Sequence, residues 1–78
     1  MTSQAFILIQ TDNGKAGDVA KAIRGMEGVT LAEDVTGPYD VIVRAEASDM
    51  DALGDLVVAN VQSVAGITRT LTCPVVHI

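Results

Sequence analysis

Aromatic residues, cysteine and histidine are scarce in this chain. Its 78 residues include no Trp, one Tyr, one Phe, one Cys and one His. The single Cys73 excludes an internal disulfide framework and fits a reducing compartment, so we expect a cytoplasmic protein. A strand would place Cys73 and His77 about 13 Å apart, too far to share a metal ion. We therefore expect no metal site, no cofactor and no catalytic residue.

Positive charge is also sparse. Ten acidic residues against five basic ones give a formal net charge of −5 and an isoelectric point of about 4.4. The basic residues are scattered and form no cluster that could neutralise a nucleic-acid backbone, so direct nucleic-acid binding is not expected. The N-terminus has no basic region, and the apolar run at residues 5–9 is far too short for a signal sequence or a membrane span.

Apolar residues, by contrast, are abundant. They make up 49% of the chain, and the mean hydropathy is +0.38, which argues against disorder. Seventy-eight residues are near the lower size at which one core suffices, so we expect a single domain over residues 1–78. So rich an apolar supply on so small a surface predicts burial against another copy of the chain.

The apolar periodicity predicts six elements in the order β-α-β-β-α-β. Strands are predicted at residues 5–10, 29–36, 40–46 and 67–78, and helices at residues 15–24 and from Ser48 to just before Gly66. This order is that of the ferredoxin-like α+β fold, a four-stranded antiparallel sheet with both helices on one face. Asp12 or Asn13 is expected to cap the first helix.

The predicted sheet has apolar side chains on both faces. In the first strand, Ala5, Ile7 and Ile9 point opposite to Phe6 and Leu8. Because helices cover one face only, the other face leaves apolar side chains in water, which at ~25 cal/mol per Å² forgoes several kcal/mol. We therefore expect dimerisation through the sheet. In the second strand, Val29, Leu31 and Val35 are predicted to share one face, and in the third strand Val41, Val43 and Ala45 are predicted to form the core face.

A Tyr and an Asp follow the turn between the second and third strands. Gly37 and Pro38 are enough to make that turn, and neither Tyr39 nor Asp40 is needed for it. Polar groups in loops on a rigid scaffold often bind ligands. Alternatively, Asp40 caps local backbone N–H groups and Tyr39 is a half-buried side chain that only fills space. The residues themselves leave both interpretations open.

Three segments resemble the effector-binding (RAM) domain of the Lrp/AsnC transcription regulators. They are Gly25-Met26-Glu27-Gly28-Val29, residues 35–43 (VTGPYDVIV) and residues 66–72 (GITRTLT). The Val-Thr-Gly-x-Tyr-Asp hairpin is the most specific of them, and the resemblance covers nearly the whole chain. It implies a ferredoxin-like domain that dimerises through its sheets, in the manner of a dimeric α/β barrel.

The resemblance also implies a function. Members of the family bind amino acids or similar effectors in clefts between neighbouring dimers, and binding shifts their assembly among dimers, octamers and larger species. The cleft positions match Gly37, Tyr39 and Asp40 of the hairpin, with Thr70 and Thr72 on the last strand. Asp40 would bind the effector ammonium group, backbone N–H groups near Gly37 the carboxylate, and Tyr39 would pack on the side chain.

Full-length regulators of this family carry an N-terminal helix-turn-helix domain. The first predicted strand begins by Ala5, which leaves no room for one, so the chain resembles the stand-alone form of the domain. It would then act on transcription only through a partner, such as a full-length Lrp/AsnC regulator, that owns a DNA-binding domain. A ligand-free assembly module and a small enzyme of the dimeric α+β barrel kind are the alternatives to this non-enzymatic, amino-acid-binding module.

Overall fold

The sheet determines the architecture of the chain. The computed structural model describes residues 2–76 and, within them, every side chain except that of Leu56. The strands in this range are β1 (Ser3–Thr11), β2 (Val29–Asp34), β3 (Val41–Ala47) and β4 (Ile67–Pro74). They form one sheet in the order β2-β3-β1-β4, and all neighbouring pairs are antiparallel.

Two helical segments connect the strands in this part of the chain. The first is α1 (Ala16–Arg24), and the second consists of α2 (Met50–Ala52), a π-helical stretch (Leu53–Val58) and α3 (Ala59–Gln62). The resulting order confirms the predicted ferredoxin-like fold. The π-helical stretch was not predicted, and it contains Gly54, a poor helix former. No helix among residues 2–76 has the length and apolar character needed to cross a membrane.

The core lies between the helices and one face of the sheet. Side chains that alternate along β1 and β3 point into it, as the two-residue period of a strand requires. Its buried apolar members are Ala5, Ile7, Ile9, Val19, Ala20, Ile23, Ala32, Val41, Val43, Ala45, Leu53, Val57 and Val61. The prediction that Val41, Val43 and Ala45 share the core face is therefore confirmed.

The first helix is not capped as the sequence suggested. Its N-cap is Lys15, with no side-chain hydrogen bond, so the prediction of Asp12 or Asn13 was wrong. The main chain of Asp12 is used elsewhere: its N–H donates to Gly66 O at 2.8 Å, and its carbonyl accepts from Lys15 N at 3.0 Å. Gly14, at φ +78°, lies between Asp12 and the start of the helix and lets the chain turn there.

The second helical segment begins at Met50, two residues after the predicted start at Ser48. Asp49, and not Ser48, is the N-cap, and its side chain accepts from Ala52 N at 2.8 Å. That bond satisfies one of the backbone donors left open at a helix start.

A bulge changes the faces of β2. Val29 pairs with Ala45, but Leu31 pairs with Arg44, so the register shifts between Val29 and Leu31. Val29 consequently lies half-buried against the core, whereas Leu31 is 42% exposed on the open face. The prediction that both point the same way was wrong because the extra residue lies between them.

Gly28 lets the helical layer close over the edge of the sheet. It has φ +85°, and a Cβ atom placed there would lie 2.5 Å from Val57 Cγ2 and 3.0 Å from the carbonyl oxygen of Glu46. The Glu46 N–H donates to Gly28 O at 2.7 Å and holds this approach. At the other end of the chain, β4 stops at Pro74, and the predicted strand residues 77–78, with His77, lie outside the described residues.

Candidate functional site

The predicted site begins in the hairpin loop, residues 35–40, that joins β2 to β3. The loop lies at the end of the sheet where β1 finishes and β4 starts, because Val41 pairs with Ile9 and Ile67 with Thr11. Val35 N–H donates to Asp40 O at 2.8 Å and closes the loop. Gly37, at φ +149°, is exposed at its tip with open space around it.

Three consecutive residues at the end of β1 hold this loop. Ile9 O accepts from the Asp40 N–H at 2.8 Å, and Gln10 Nε2 donates to Pro38 O at 3.0 Å. The Thr11 N–H donates to Asp40 Oδ2 at 2.8 Å. Gln10 and Thr11 were not predicted as site residues; the change from apolar to polar side chains at the end of β1 was the available signal.

Asp40 is half-buried, and its two carboxylate oxygens differ. Oδ2 accepts the Thr11 N–H, while Oδ1 makes no hydrogen bond to the residues that the structure describes. The Asp40 carboxylate thus binds a backbone N–H of another strand, 29 residues away in the chain, and not the local N–H groups that the alternative interpretation proposed. Tyr39 is also half-buried, and within residues 2–76 its hydroxyl has no hydrogen-bond partner.

Thr70 and Thr72 lie apart from the hairpin loop. They occupy the helix-facing side of β4, opposite Ile9 and Ile7 of β1, and both are half-buried. Thr70 Oγ1 accepts from Gln62 Nε2 at 3.0 Å. Because β1 separates β4 from β3, two strand spacings, about 10 Å, lie between these threonines and the β3 side of the site. Within one chain, therefore, the three hairpin residues lie close together, and the two threonines lie away from them.

A cavity occupies the opposite end of the sheet. It measures about 530 Å³ and is lined by Thr2, Glu27, Gly28, Glu46, Ala47, Ser48, Ala52, Val57 and Asn60. None of the five predicted site residues lines it. Within residues 2–76, no group of three or more His, Cys, Asp or Glu side chains could hold a metal ion.

The fold places the chain in a known class of small domains that bind ligands, as the comparison with protein families shows. The family model of the Lrp/AsnC ligand-binding domain matches residues 4–78, and the chain belongs to this family. The resemblance predicted from the three sequence segments is thereby confirmed. The family supplies the ligand-binding domains of transcription regulators, which makes this chain an effector-binding regulatory module. No curated protein matches the sequence.

Solved structures share the fold. TTHA0845 from Thermus thermophilus has a TM-score of 0.87 at 29% identity, over 97% of this chain and 95% of that one. FFRP-DM1 has a TM-score of 0.86 at 30% identity, over 95% of this chain and 99% of that one. The transcriptional regulator NMB0573 from Neisseria meningitidis, solved as a complex with L-Met, has a TM-score of 0.80 at 25% identity, over 96% of this chain and 50% of that one. The chain thus resembles two proteins of similar length and half of a longer regulator.

Proposed function

We propose that this chain binds an amino acid at the hairpin end of the sheet and changes its assembly state on binding. The observation that carries the proposal is the match to a ligand-binding domain over residues 4–78. One structural neighbour, a transcriptional regulator, was solved with L-Met, which makes L-Met the first effector to test. No catalytic role is proposed for any residue.

Within the site, the hairpin supplies the recognition groups. Asp40 binds the ammonium group of the effector, backbone N–H groups near Gly37 bind its carboxylate, and Tyr39 packs on its side chain. Asp40 Oδ1 and the Tyr39 hydroxyl suit this role, since neither has a hydrogen bond to the residues that the structure describes. Thr70 and Thr72 complete the cleft from a neighbouring chain, which accounts for their distance from the hairpin loop.

The open face of the sheet supports a homodimer. Phe6 is 38% exposed there, and Leu31 and Leu71 are each 42% exposed, while Leu8 and Ile42 beside them are half-buried. Apolar groups of this size, contiguous on one face, are typical of an interaction surface. A second copy laid sheet against sheet would bury them, and dimers would then assemble further around the clefts.

The acidic balance of the chain supports an indirect action on transcription. With a net charge of −5, the domain would bind DNA through a partner that carries a DNA-binding domain, such as a full-length Lrp/AsnC regulator. We propose the cytoplasm as its compartment, on the ground of its single cysteine. Residues 4–78 would act as one ligand-binding domain.

A thermal-shift screen with amino acids, starting from L-Met, tests the proposal. A ligand at a hundredfold excess over its dissociation constant stabilises by about 2.7 kcal/mol, which in a domain of this size raises the melting temperature by roughly 10 °C or more. Light scattering on each hit should show a changed mass. Tyr39→Ala should abolish the shift, whereas Thr36→Ala, an exposed change in the same loop, should preserve it.

A screen without any hit would contradict the proposed effector role. If no amino acid shifts the melting temperature and the mass is already that of an oligomer, the effector role is wrong. The chain would then be an assembly module, and co-purification with a full-length regulator would be its remaining activity.

A further inference from the structure

The contact between Thr11 and Asp40 joins two strands at the point where their ladder ends. The last paired residues of β1 and β3 are Ile9 and Val41. Beyond them, the Thr11 N–H would lose its partner on β3, and Asp40 Oδ2 accepts it instead at 2.8 Å. A backbone N–H bound to an ionised carboxylate is among the stronger hydrogen bonds in proteins.

We propose that Thr11 is a positioning residue for Asp40, and that Asp40 consequently meets the effector with one carboxylate oxygen, Oδ1, alone. This inference rests on the proposed function and adds to it a residue on β1 and a limit on how the ligand is held. Thr11 acts through its main chain, so it shapes the site without contacting the ligand.

Two neighbouring contacts make the position rigid. Gln10 Nε2 donates to Pro38 O at 3.0 Å, and the Asp40 N–H donates to Ile9 O at 2.8 Å, so the loop is fixed at three points. A carboxylate whose main chain and one oxygen are both held has little rotational freedom left to lose on binding. Preorganisation of this kind strengthens binding because the ordering cost has already been met by folding.

The single free oxygen also has a consequence for specificity. A guanidinium group is bound best by both oxygens of a carboxylate, whereas one oxygen suffices for an ammonium group. Because the Thr11 N–H already engages one lone pair of Oδ2, a guanidinium bound by both oxygens would have to share Oδ2 with Thr11, so Asp40 should favour an α-ammonium group over a guanidinium.

The same end of β1 reaches a second part of the fold. The residue after Thr11 donates its N–H to Gly66 O at 2.8 Å, and Gly66 directly precedes β4. The β1–β4 register shifts between Gln10 and Thr11, so the main chain there departs from the regular ladder. The end of β1 is therefore bonded both to the hairpin loop and to the residue that precedes β4.

Hydrogen exchange combined with a binding assay tests the inference. Three variants of the whole chain are compared: Asp40→Asn, Asp40→Ala and the control Asp34→Asn, which removes one exposed carboxylate at the same end of the sheet. The probes are L-Met and 4-(methylthio)butanoate, which lacks the ammonium group. Calorimetry gives the affinities, and NMR follows exchange of the Thr11 amide without any ligand.

The expected results distinguish the contact of Asp40 with Thr11 from its contact with the ligand. In Asp40→Asn, the side-chain carbonyl still accepts the Thr11 N–H, so Thr11 stays protected, while L-Met affinity falls on the order of 10- to 100-fold because an amide NH₂ replaces Oδ1. The preference for L-Met over 4-(methylthio)butanoate should vanish. Asp40→Ala should lose this binding and also speed Thr11 exchange by about tenfold or more. Asp34→Asn should change neither.

Three outcomes would overturn the inference. Unchanged L-Met affinity in Asp40→Asn would show that Oδ1 does not bind the ligand. Unchanged Thr11 protection in Asp40→Ala would show that the carboxylate does not hold the strand. Failure of the native protein to bind any amino acid would remove the proposed function and the ligand half of the inference with it, while the ligand-free exchange series would still decide whether Asp40 holds Thr11.

Discussion

The helix-facing side and the open side of the sheet are built from the same strands, yet their apolar residues have different surroundings. On β1, Ile7 and Ile9 face the helices and are 0% exposed, whereas Phe6, between Ala5 and Ile7, faces away and is 38% exposed. On the neighbouring β4, Leu71 at 42% exposure continues the open side. Because side chains alternate along a strand, one strand can contribute apolar residues to both faces of the sheet, and the helices cover only one of these faces.

The open side also carries an ordered polar strip at one end. Arg44 Nη2 donates to Gln4 Oε1 at 3.0 Å, and Gln4 Nε2 reaches Glu46 Oε2 at 3.5 Å. The Arg44 guanidinium carbon lies 6.0 Å from the centre of the Phe6 ring, within cation–π range. A surface with an apolar centre and a polar strip favours a specific partner over unspecific association, because only one orientation satisfies both parts.

The largest expected effect comes from breaking the helix-facing side. Ile7→Ala removes a fully buried side chain and should lower the free energy of unfolding by about 2–5 kcal/mol, measured by urea denaturation. Leu8→Ala, its neighbour on the open side, should cost less and should show a cost that grows with protein concentration if the open side is a dimer interface. Equal, concentration-independent losses would contradict the distinction between the two faces.

The second effect concerns the open side directly. Leu71→Arg places a charge on the open face of β4, within the proposed interface, and should weaken the dimer on the order of 100-fold or more while the monomer stays folded. Analytical ultracentrifugation measures the mass, and circular dichroism checks the fold. Ala22→Arg is the control, since Ala22 is exposed on α1, in the helical layer that covers the other face of the sheet. A dimer that survives Leu71→Arg and dissociates with Ala22→Arg would mean that the interface lies on the helical side.

The two faces of the sheet also show which features of the fold could be predicted from the sequence alone. The order of the elements along the chain followed from the apolar periodicity, and the core face of β3 followed from alternation, because burial repeats every two residues there. The faces of Val29 and Leu31 did not follow, since one extra residue at Thr30 reverses the pattern and the bulge depends on pairing with β3. The cap of the first helix was also missed: the helix begins after Lys15, and the main chain of Asp12 is bonded to Gly66, a contact between distant parts of the chain that local propensity does not contain.

The candidate site shows the same limit. Gly37, Tyr39 and Asp40 are adjacent in the chain, so their grouping could be expected from the hairpin. Thr11 belongs to the candidate site because its N–H donates a 2.8 Å hydrogen bond to Asp40, and no spacing in the sequence predicts this tertiary contact. Thr70 and Thr72 joined the predicted site only through the family resemblance, and a single chain gives no geometry by which to place them beside the hairpin.

A third prediction sharpens the comparison at the helical layer. Gly28→Ala should lower the free energy of unfolding by about 1–3 kcal/mol, because φ +85° is strained for Ala and its Cβ would meet Val57. Gly17→Ala is the control, since Gly17 lies in α1 with nothing within 4 Å of the added Cβ, and it should stabilise by about 0.4–1 kcal/mol. Thermal unfolding measures both. A neutral Gly28→Ala would mean that the helical layer can shift away from the sheet without cost.

The smallest effect on stability, and the most informative for the site, is expected from Thr70→Val. Valine keeps the shape and the strand preference of threonine, and the bond lost to Gln62 is exposed, so the free energy of unfolding should change by no more than about 0.5 kcal/mol. Thr30→Val is the matched control, because Thr30 also makes one exposed hydrogen bond, to Arg44 O at 3.2 Å, on a strand outside the proposed site.

The measurement that matters for this pair is L-Met affinity at concentrations where the protein is fully assembled. If Thr70 completes the cleft of a neighbouring chain, Thr70→Val should weaken binding on the order of tenfold while Thr30→Val leaves it unchanged. In the Leu71→Arg protein no neighbouring chain remains to bring Thr70 to the hairpin. Adding Thr70→Val to that protein should therefore cause no further loss of L-Met affinity. A tenfold loss that persists in the dissociated protein would instead mean that Thr70 acts on the hairpin within its own chain, through β1 and the Asp12–Gly66 contact.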